Sequence, residues 1–186
     1  MTAPPRRVAV LGGAGAGKST LARRLGEALD APVVHLDRLA FGPGWARLGA
    51  EAFRARLGPL VDAPTWVVEG TYPEVAGLVL ARADLTLWLD QPFWRRLWRA
   101  WRKSRIHQDR PRADRPDGCE EAFGRRYAWQ VMRFGGWSAA LERRLTRSTN
   151  GAVERLRGDA GVRRFLDTLV SASSPAARGR VGSDRG

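Results

Sequence analysis

Gly12-Gly13-Ala14-Gly15-Ala16-Gly17-Lys18-Ser19 has the form G-x-x-x-x-G-K-[ST] and decides the reading of this chain. It follows an apolar run, Arg7–Leu11 (RVAVL), and opens a segment in which Leu21, Leu25 and Leu29 recur at helical spacing. Each part of the pattern has a physical reason. Glycines let backbone N–H groups curl around phosphate oxygens with no Cβ in the way. The helix that follows turns its N-terminus toward the same anion. Lysine reaches the β- and γ-phosphates, and the serine hydroxyl suits Mg²⁺. A chance match arises on the order of once in a few hundred chains of this size, and the strand–loop–helix context makes chance a poor account. The expectation is a site for ATP with Mg²⁺ built from Gly12, Gly13, Ala14, Gly15, Ala16, Gly17, Lys18, Ser19 and Thr20.

Outward from the loop, strand-like and helix-like segments alternate. Strands are expected at Arg7–Leu11, Pro32–Leu36, Thr65–Val68, Leu85–Leu89 and Ala152–Leu156. Helices are expected at Ser19–Leu29, Ala50–Val61, Pro73–Arg82, Phe93–Arg105, Glu120–Phe134 and Gly161–Val170. Such alternation predicts a three-layer α/β/α sandwich around a parallel sheet of about five strands. One domain over residues 1–170 accounts for the chain, with 171–186, rich in Ser, Ala, Gly and Arg, read as a disordered basic tail. His107–Gly118, with Pro111, Pro116 and Gly118 among charged residues, reads as a mobile loop.

Composition narrows the function. The 186 residues carry a formal net charge of +13, so anionic partners are favoured. Between Phe93 and Arg147, fourteen arginines and one lysine face six acids, a net of +9 in one segment. Lysine is scarce, Lys18 and Lys103 only, which makes a lysine inside the phosphate loop more telling. No apolar stretch approaches the roughly 20 residues that span a bilayer. The N-terminus runs into the glycine loop with no export segment, and the lone Cys119 forms no internal disulfide. Both suit a reducing cytoplasm.

Further strings carry a family resemblance. His35-Leu36-Asp37, Phe41–Trp45, Trp66–Tyr72 (WVVEGTY), Leu89-Asp90-Gln91-Pro92, Arg115–Cys119, Arg155–Arg157 and Val162–Phe165 resemble the adenylate-kinase-like P-loop proteins of bacteria called topology modulation proteins. The likeness spans about Val8 to Leu169. It implies a P-loop fold of the nucleoside- and shikimate-kinase-like class, phosphoryl transfer from ATP to a small acceptor or a nucleotide, and, from the family's name, a link to DNA topology. A lid over about 105–118, with Arg110, Arg112 and Arg115, is implied, as are phosphate-binding Arg99 and Arg102 on the helix after the Asp-x-Pro turn. Arg155–Asp159 would flank the adenine ring and Phe41–Trp45 the acceptor. One departure stands out: Glu69-Gly70 occupies the position where the family usually carries Asp-Gly.

The site residues expected to act are therefore Lys18, Asp37, Glu69, Arg99 and Arg102, with Ser19 and Glu69 on the metal. Asp37 ends the second expected strand, where ligands of parallel sheets bind, or else it is a cap. His35 in the same strand reads as a packed core residue, and Asp90 as a cap for the next helix. Arg99 and Arg102 meet phosphate or stay on a solvated face. Trp94, Leu97, Trp98 and Trp101 recur at i, i+3, i+4 and i+7 and are expected to face the core. Tryptophan interleaved with arginine also suggests weak, non-specific nucleic-acid binding, although core-facing rings would not stack on bases. An ATP-binding, DNA-associated regulator with slow turnover is accordingly the second functional class.

Overall fold

The computed structural model describes residues 4–42, 46–106 and 149–173. Five strands form one sheet: β1 (Arg7–Gly12), β2 (Val33–His35), β3 (Trp66–Glu69), β4 (Leu85–Asp90) and β5 (Ala152–Arg157), ordered β2-β3-β1-β4-β5 and parallel throughout. The described helices are α1 (Lys18–Leu29), α2 (Leu36–Ala40), α3 (Ala50–Val61), α4 (Pro73–Leu80), α5 (Phe93–Ile106) and α6 (Gly158–Ser173). The expected fold class is therefore the observed one. β1 lies in the middle of the sheet, so the loop that leaves its carboxyl end emerges among neighbouring strand ends.

The period-2 alternation of β1 builds both core layers. Val8 and Val10 pack with Leu21 and Leu25 of α1, Val67, Leu87 and Leu156 on one face. Ala9 and Leu11 pack with Phe53, Leu57, Trp66, Val75 and Trp88 on the other. Both faces of the sheet are covered, which is why β3 is buried along its whole length.

Several boundaries differ from expectation. β2 stops at His35, and Leu36 begins α2, so Asp37 sits in the first turn of a short helix and not at a strand end. Leu36 is the cause: it is buried over Gly70, where a Cβ would approach the Leu36 Cβ to 2.7 Å, and that contact turns the chain off the sheet. α6 starts directly after β5 and continues to Ser173, beyond the expected Gly161–Val170 at both ends. The expected helix Glu120–Phe134, Cys119, Pro43-Gly44-Trp45, Arg110, Arg112 and Arg115 with the lid from 107 onward, and the tail from 174 lie outside the described residues; residues 105–106 of the expected lid and 171–173 of the expected disordered tail are helical, as the ends of α5 and α6.

The largest correction concerns α5. Trp94 is 57% and Trp98 53% exposed, and Trp101 is also exposed, whereas Arg96, at 4%, and Ala100 are buried. The tryptophan stripe does not face the core. The inward face of α5 lies against the phosphate loop, with the Arg96 carbonyl directly over Gly15. Only a slim face fits there, so the bulky rings turn outward. No described helix is long and apolar enough to cross a membrane.

Candidate functional site

The loop between β1 and α1 has the backbone that phosphate binding needs. Gly15 and Gly17 have φ of +75° and +97°, left-handed values that any Cβ makes costly. The Ala16 N–H closes the turn on the Gly13 carbonyl at 3.1 Å. Gly17 caps α1 and, having no side chain, gives that helix end no side-chain cap hydrogen bond. The first-turn N–H groups of α1 are thus left to an anion. Thr71 braces the entry: its Oγ1 accepts from the Gly12 N–H at 3.0 Å and donates to the Gly12 carbonyl at 2.9 Å. Lys18 Nζ donates to the Gly13 carbonyl at 3.1 Å, so the ammonium lies over the loop itself.

Beneath the loop, three expected or unexpected residues come together. Ser19 Oγ donates to Glu69 Oε1 at 3.1 Å, and His35 Nδ1 meets the same oxygen at 2.8 Å. The parallel register of β2 against β3 sets His35 opposite Glu69, and β3 against β1 sets Glu69 beside Val10, one turn of backbone from the loop. Burial pushes the Glu69 carboxyl up, but the His35 hydrogen bond, the Lys18 charge and the Ser19 hydroxyl outweigh it and hold the group below its ordinary value. An ionised carboxylate only accepts, so His35 Nδ1 carries the hydrogen. His35 is therefore a partner of the site carboxylate and not the packed core residue expected. Among the described residues no cluster of three or more His, Cys, Asp or Glu forms; the Ser19–Glu69 pair sets one hydroxyl against one carboxylate. One hydroxyl and one carboxylate, completed by phosphate oxygens and water, is the donor set Mg²⁺ prefers.

Asp37 lies in a second polar group. Tyr72 donates its hydroxyl to Asp37 Oδ1 at 2.5 Å. Burial and the adjacent Asp37 carboxylate push the Tyr72 phenol above its usual range, so it stays a donor. The ring is fixed edge-on to Phe53, centroids 5.4 Å apart. Arg47 pairs with Glu74 on the neighbouring α4, and Phe41 forms an isolated antiparallel bridge with Arg47.

The two arginines of α5 separate. Arg99 Nη1 donates to the Ala16 carbonyl at 3.3 Å, and Nη2 pairs with Asp159 Oδ1 at 2.5 Å. It reaches the phosphate loop. Arg102 is exposed, its guanidinium 5.4 Å over the Trp98 ring, and belongs to the outer aromatic face with Arg95, which lies 5.1 Å over Trp94. Asp90 forms an ion pair with Arg155 at 3.0 Å across β4 and β5 in place of the expected cap. Thr20 is exposed at the first turn of α1 and lines a cavity between α1, α5 and α6.

With this geometry described, the chain can be set beside known proteins. Its backbone is similar to a shikimate kinase from Acinetobacter baumannii solved in complex with shikimate, at 16% identity over 95% of this chain and 96% of that one, TM-score 0.56. The fold is the shikimate-kinase-like P-loop α/β fold. A shikimate kinase from Bacteroides thetaiotaomicron matches at 15% identity over 90% and 98% of the two chains, TM-score 0.52. An uncharacterized protein from Eubacterium ventriosum matches at 13% identity over 90% and 98%, TM-score 0.50. No family model and no curated protein sequence matches the chain.

The motif reading gives Thr71, Tyr72 and Gln91 no role, and it places Gly15 in the loop without its contact to α5. Gly15 falls on an x of the loop pattern, yet a Cβ there would meet the Arg96 carbonyl oxygen. That atom is backbone and cannot swing away. Gly15→Ala is therefore expected to cost about 2–4 kcal/mol, left-handed strain plus overpacking, and to loosen α5 from the loop. Urea unfolding measures it. A midpoint equal to wild type would show that α5 does not close on the loop.

Proposed function

We propose that this chain is a cytoplasmic phosphotransferase that moves the γ-phosphoryl group of ATP to a hydroxyl of a small acceptor, nucleotides included. The observation that carries the reading is the Ser19–Glu69–His35 line beneath a left-handed glycine loop, with the Asp37–Tyr72 pair on the neighbouring element. In this reading the first-turn N–H groups of α1 and Lys18 bind the phosphates, and Ser19 and Glu69 hold the metal. Mg²⁺ supplies charge neutralisation of the phosphates when bound. Asp37 orients the acceptor hydroxyl and takes its proton as the acceptor oxygen bonds to the γ-phosphorus and the bond to the β–γ bridging oxygen breaks. Tyr72 fixes Asp37 by its Oδ1. Arg99 sits beside the loop and adds positive charge where the transferring group becomes more negative.

A second reading is favoured by one observation. The exposed Trp94 and Trp98, with Arg95 and Arg102 stacked on them, lie on a helix that has no acidic residue. Aromatic faces flanked by guanidinium groups suit single-stranded nucleic acid, in keeping with the resemblance to topology modulation proteins. One experiment separates the two. ADP release is measured with each nucleoside monophosphate and a panel of small hydroxyl metabolites, beside salt-dependent binding of a single-stranded oligonucleotide. Acceptor-stimulated ADP formation is expected. No stimulation by any acceptor, together with oligonucleotide binding that Trp98→Ala abolishes, would reverse the ranking.

A further inference from the structure

Glu69 carries its carboxylate one methylene further from β3 than an aspartate would, with one more torsion to fix. A charge that serves a metal acts only if its side chain is locked in place by the groups behind it. The fold supplies that lock. Glu69 is 4% exposed, and its Oε1 accepts from Ser19 Oγ at 3.1 Å and from His35 Nδ1 at 2.8 Å. Both donors take the same oxygen, so neither occupies Oε2.

The two donors are not equivalent. Ser19 lies at the start of α1, its hydroxyl hydrogen turns about a single bond, and its oxygen belongs to the metal set in the phosphate-loop motif. His35 is the last residue of β2, and the parallel register sets it opposite Glu69, the last residue of β3. The chain leaves the sheet directly after both, at Leu36 into α2 and at Gly70 with φ +135°. The imidazole is a rigid ring on two torsions, and its side chain is only 14% exposed. A histidine that merely filled space would not need its donor aimed at the carboxylate beside the phosphate loop.

We propose that His35 is a positioning residue of the metal side: its Nδ1–H anchors Oε1 of Glu69, fixes the extra torsion of that side chain, and leaves Oε2 for the metal. In this role His35 acts through Glu69 alone. The inference rests on the phosphotransferase reading above for the presence of Mg²⁺, and adds the partner that lets a glutamate serve there.

Asparagine and leucine separate the donor from the ring. The two are alike in outline, but asparagine Nδ2 takes the place of imidazole Nδ1, where leucine puts a methyl group. Two quantities are measured on the full chain: basal ATP hydrolysis, and the ratio of ATP affinities in Mg²⁺ and in EDTA by calorimetric titration. Urea midpoints show that each variant is folded. His35→Leu is expected to lower hydrolysis about tenfold, the lower end of what losing a partner behind a metal ligand costs, and to lower the Mg²⁺-to-EDTA ratio about threefold. His35→Asn is expected to recover most of both losses. In a Glu69→Gln background, His35→Leu should lower neither quantity further, because the charge it positions is already gone. Equal losses with leucine and asparagine, or losses that add to those of Glu69→Gln, would make His35 a packing residue and overturn the proposal. If His35→Leu does not fold, His35→Gln replaces it, since its amide reaches the Nε2 position instead; wild-type values in that variant would overturn the assignment to Nδ1. If wild type itself binds ATP no better in Mg²⁺ than in EDTA, the metal reading of Ser19 and Glu69 falls, and the positioning role falls with it.

Discussion

Replacing Lys18 with alanine is expected to lower ATP affinity about a hundredfold while the chain still folds. A hydrogen bond from a charged donor to phosphate contributes roughly 1.5–3 kcal/mol, and one ammonium serving both terminal phosphates reaches the upper part of that range, which is about two decades in Kd. The fold depends on Lys18 far less. Its visible bond is a single donation to the Gly13 carbonyl at 3.1 Å, and the loop is held independently by the Ala16–Gly13 turn and by the Thr71 clamp on Gly12. Losing one net hydrogen bond costs about 1 kcal/mol, a Tm change of about 2–4 °C in a chain of this size. Calorimetric titration with Mg-ATP and a thermal scan of the same sample decide the matter. Wild-type affinity in a folded mutant would remove the phosphate loop from the binding site.

The fold was legible because its signals are local and repeated. Apolar runs separated by helical periods predict a parallel sheet, and the glycine loop with its lysine marks where β1 meets α1. The candidate site was legible where the motif itself places a residue, as with Lys18 and Ser19, or where strand register does, as with Glu69. What was not legible depended on contacts between distant elements. The period of Trp94, Trp98 and Trp101 resembles a core face, and sequence spacing does not say which side of a helix the neighbours occupy. Here the close approach of the Arg96 carbonyl to Gly15 turned the rings outward. Asp37 was read at a strand end because nothing in PVVHL marks a stop, and the stop comes from Leu36 packing over Gly70. His35 looked like core until the β2–β3 register set it against Glu69. Tyr72 and Gln91 each hydrogen-bond one partner far away in sequence, Asp37 and Asp159.

Glu69→Gln is expected to lower turnover by roughly a hundredfold, the scale on which removing one preorganised electrostatic group acts, and to change ATP affinity by no more than about tenfold. The amide has the same outline, and its Oε1 can still accept from Ser19 and His35, the two bonds that hold the carboxylate now. What disappears is the charge, and charge is what the metal side of a phosphoryl transfer requires. Basal ATP hydrolysis and Mg-ATP titration measure the two effects separately. Unchanged turnover would make Glu69 structural and pass its role to another acid, Asp37 first. The same substitution has a pH signature in the fold. The Glu69 carboxyl is held below its ordinary value of 4.5 in the native chain, so the unfolded chain takes up that proton first as pH falls. The stabilisation is complete above 4.5 and is lost as pH drops through the lower native value. Wild type and Glu69→Gln should therefore differ most in urea midpoint at neutral pH, and the gap should narrow below 4.5. A gap that is constant from pH 7 to pH 3 would mean that Glu69 titrates alike in the folded and unfolded chain, and that the His35, Lys18 and Ser19 interactions do no more than offset the cost of burying it.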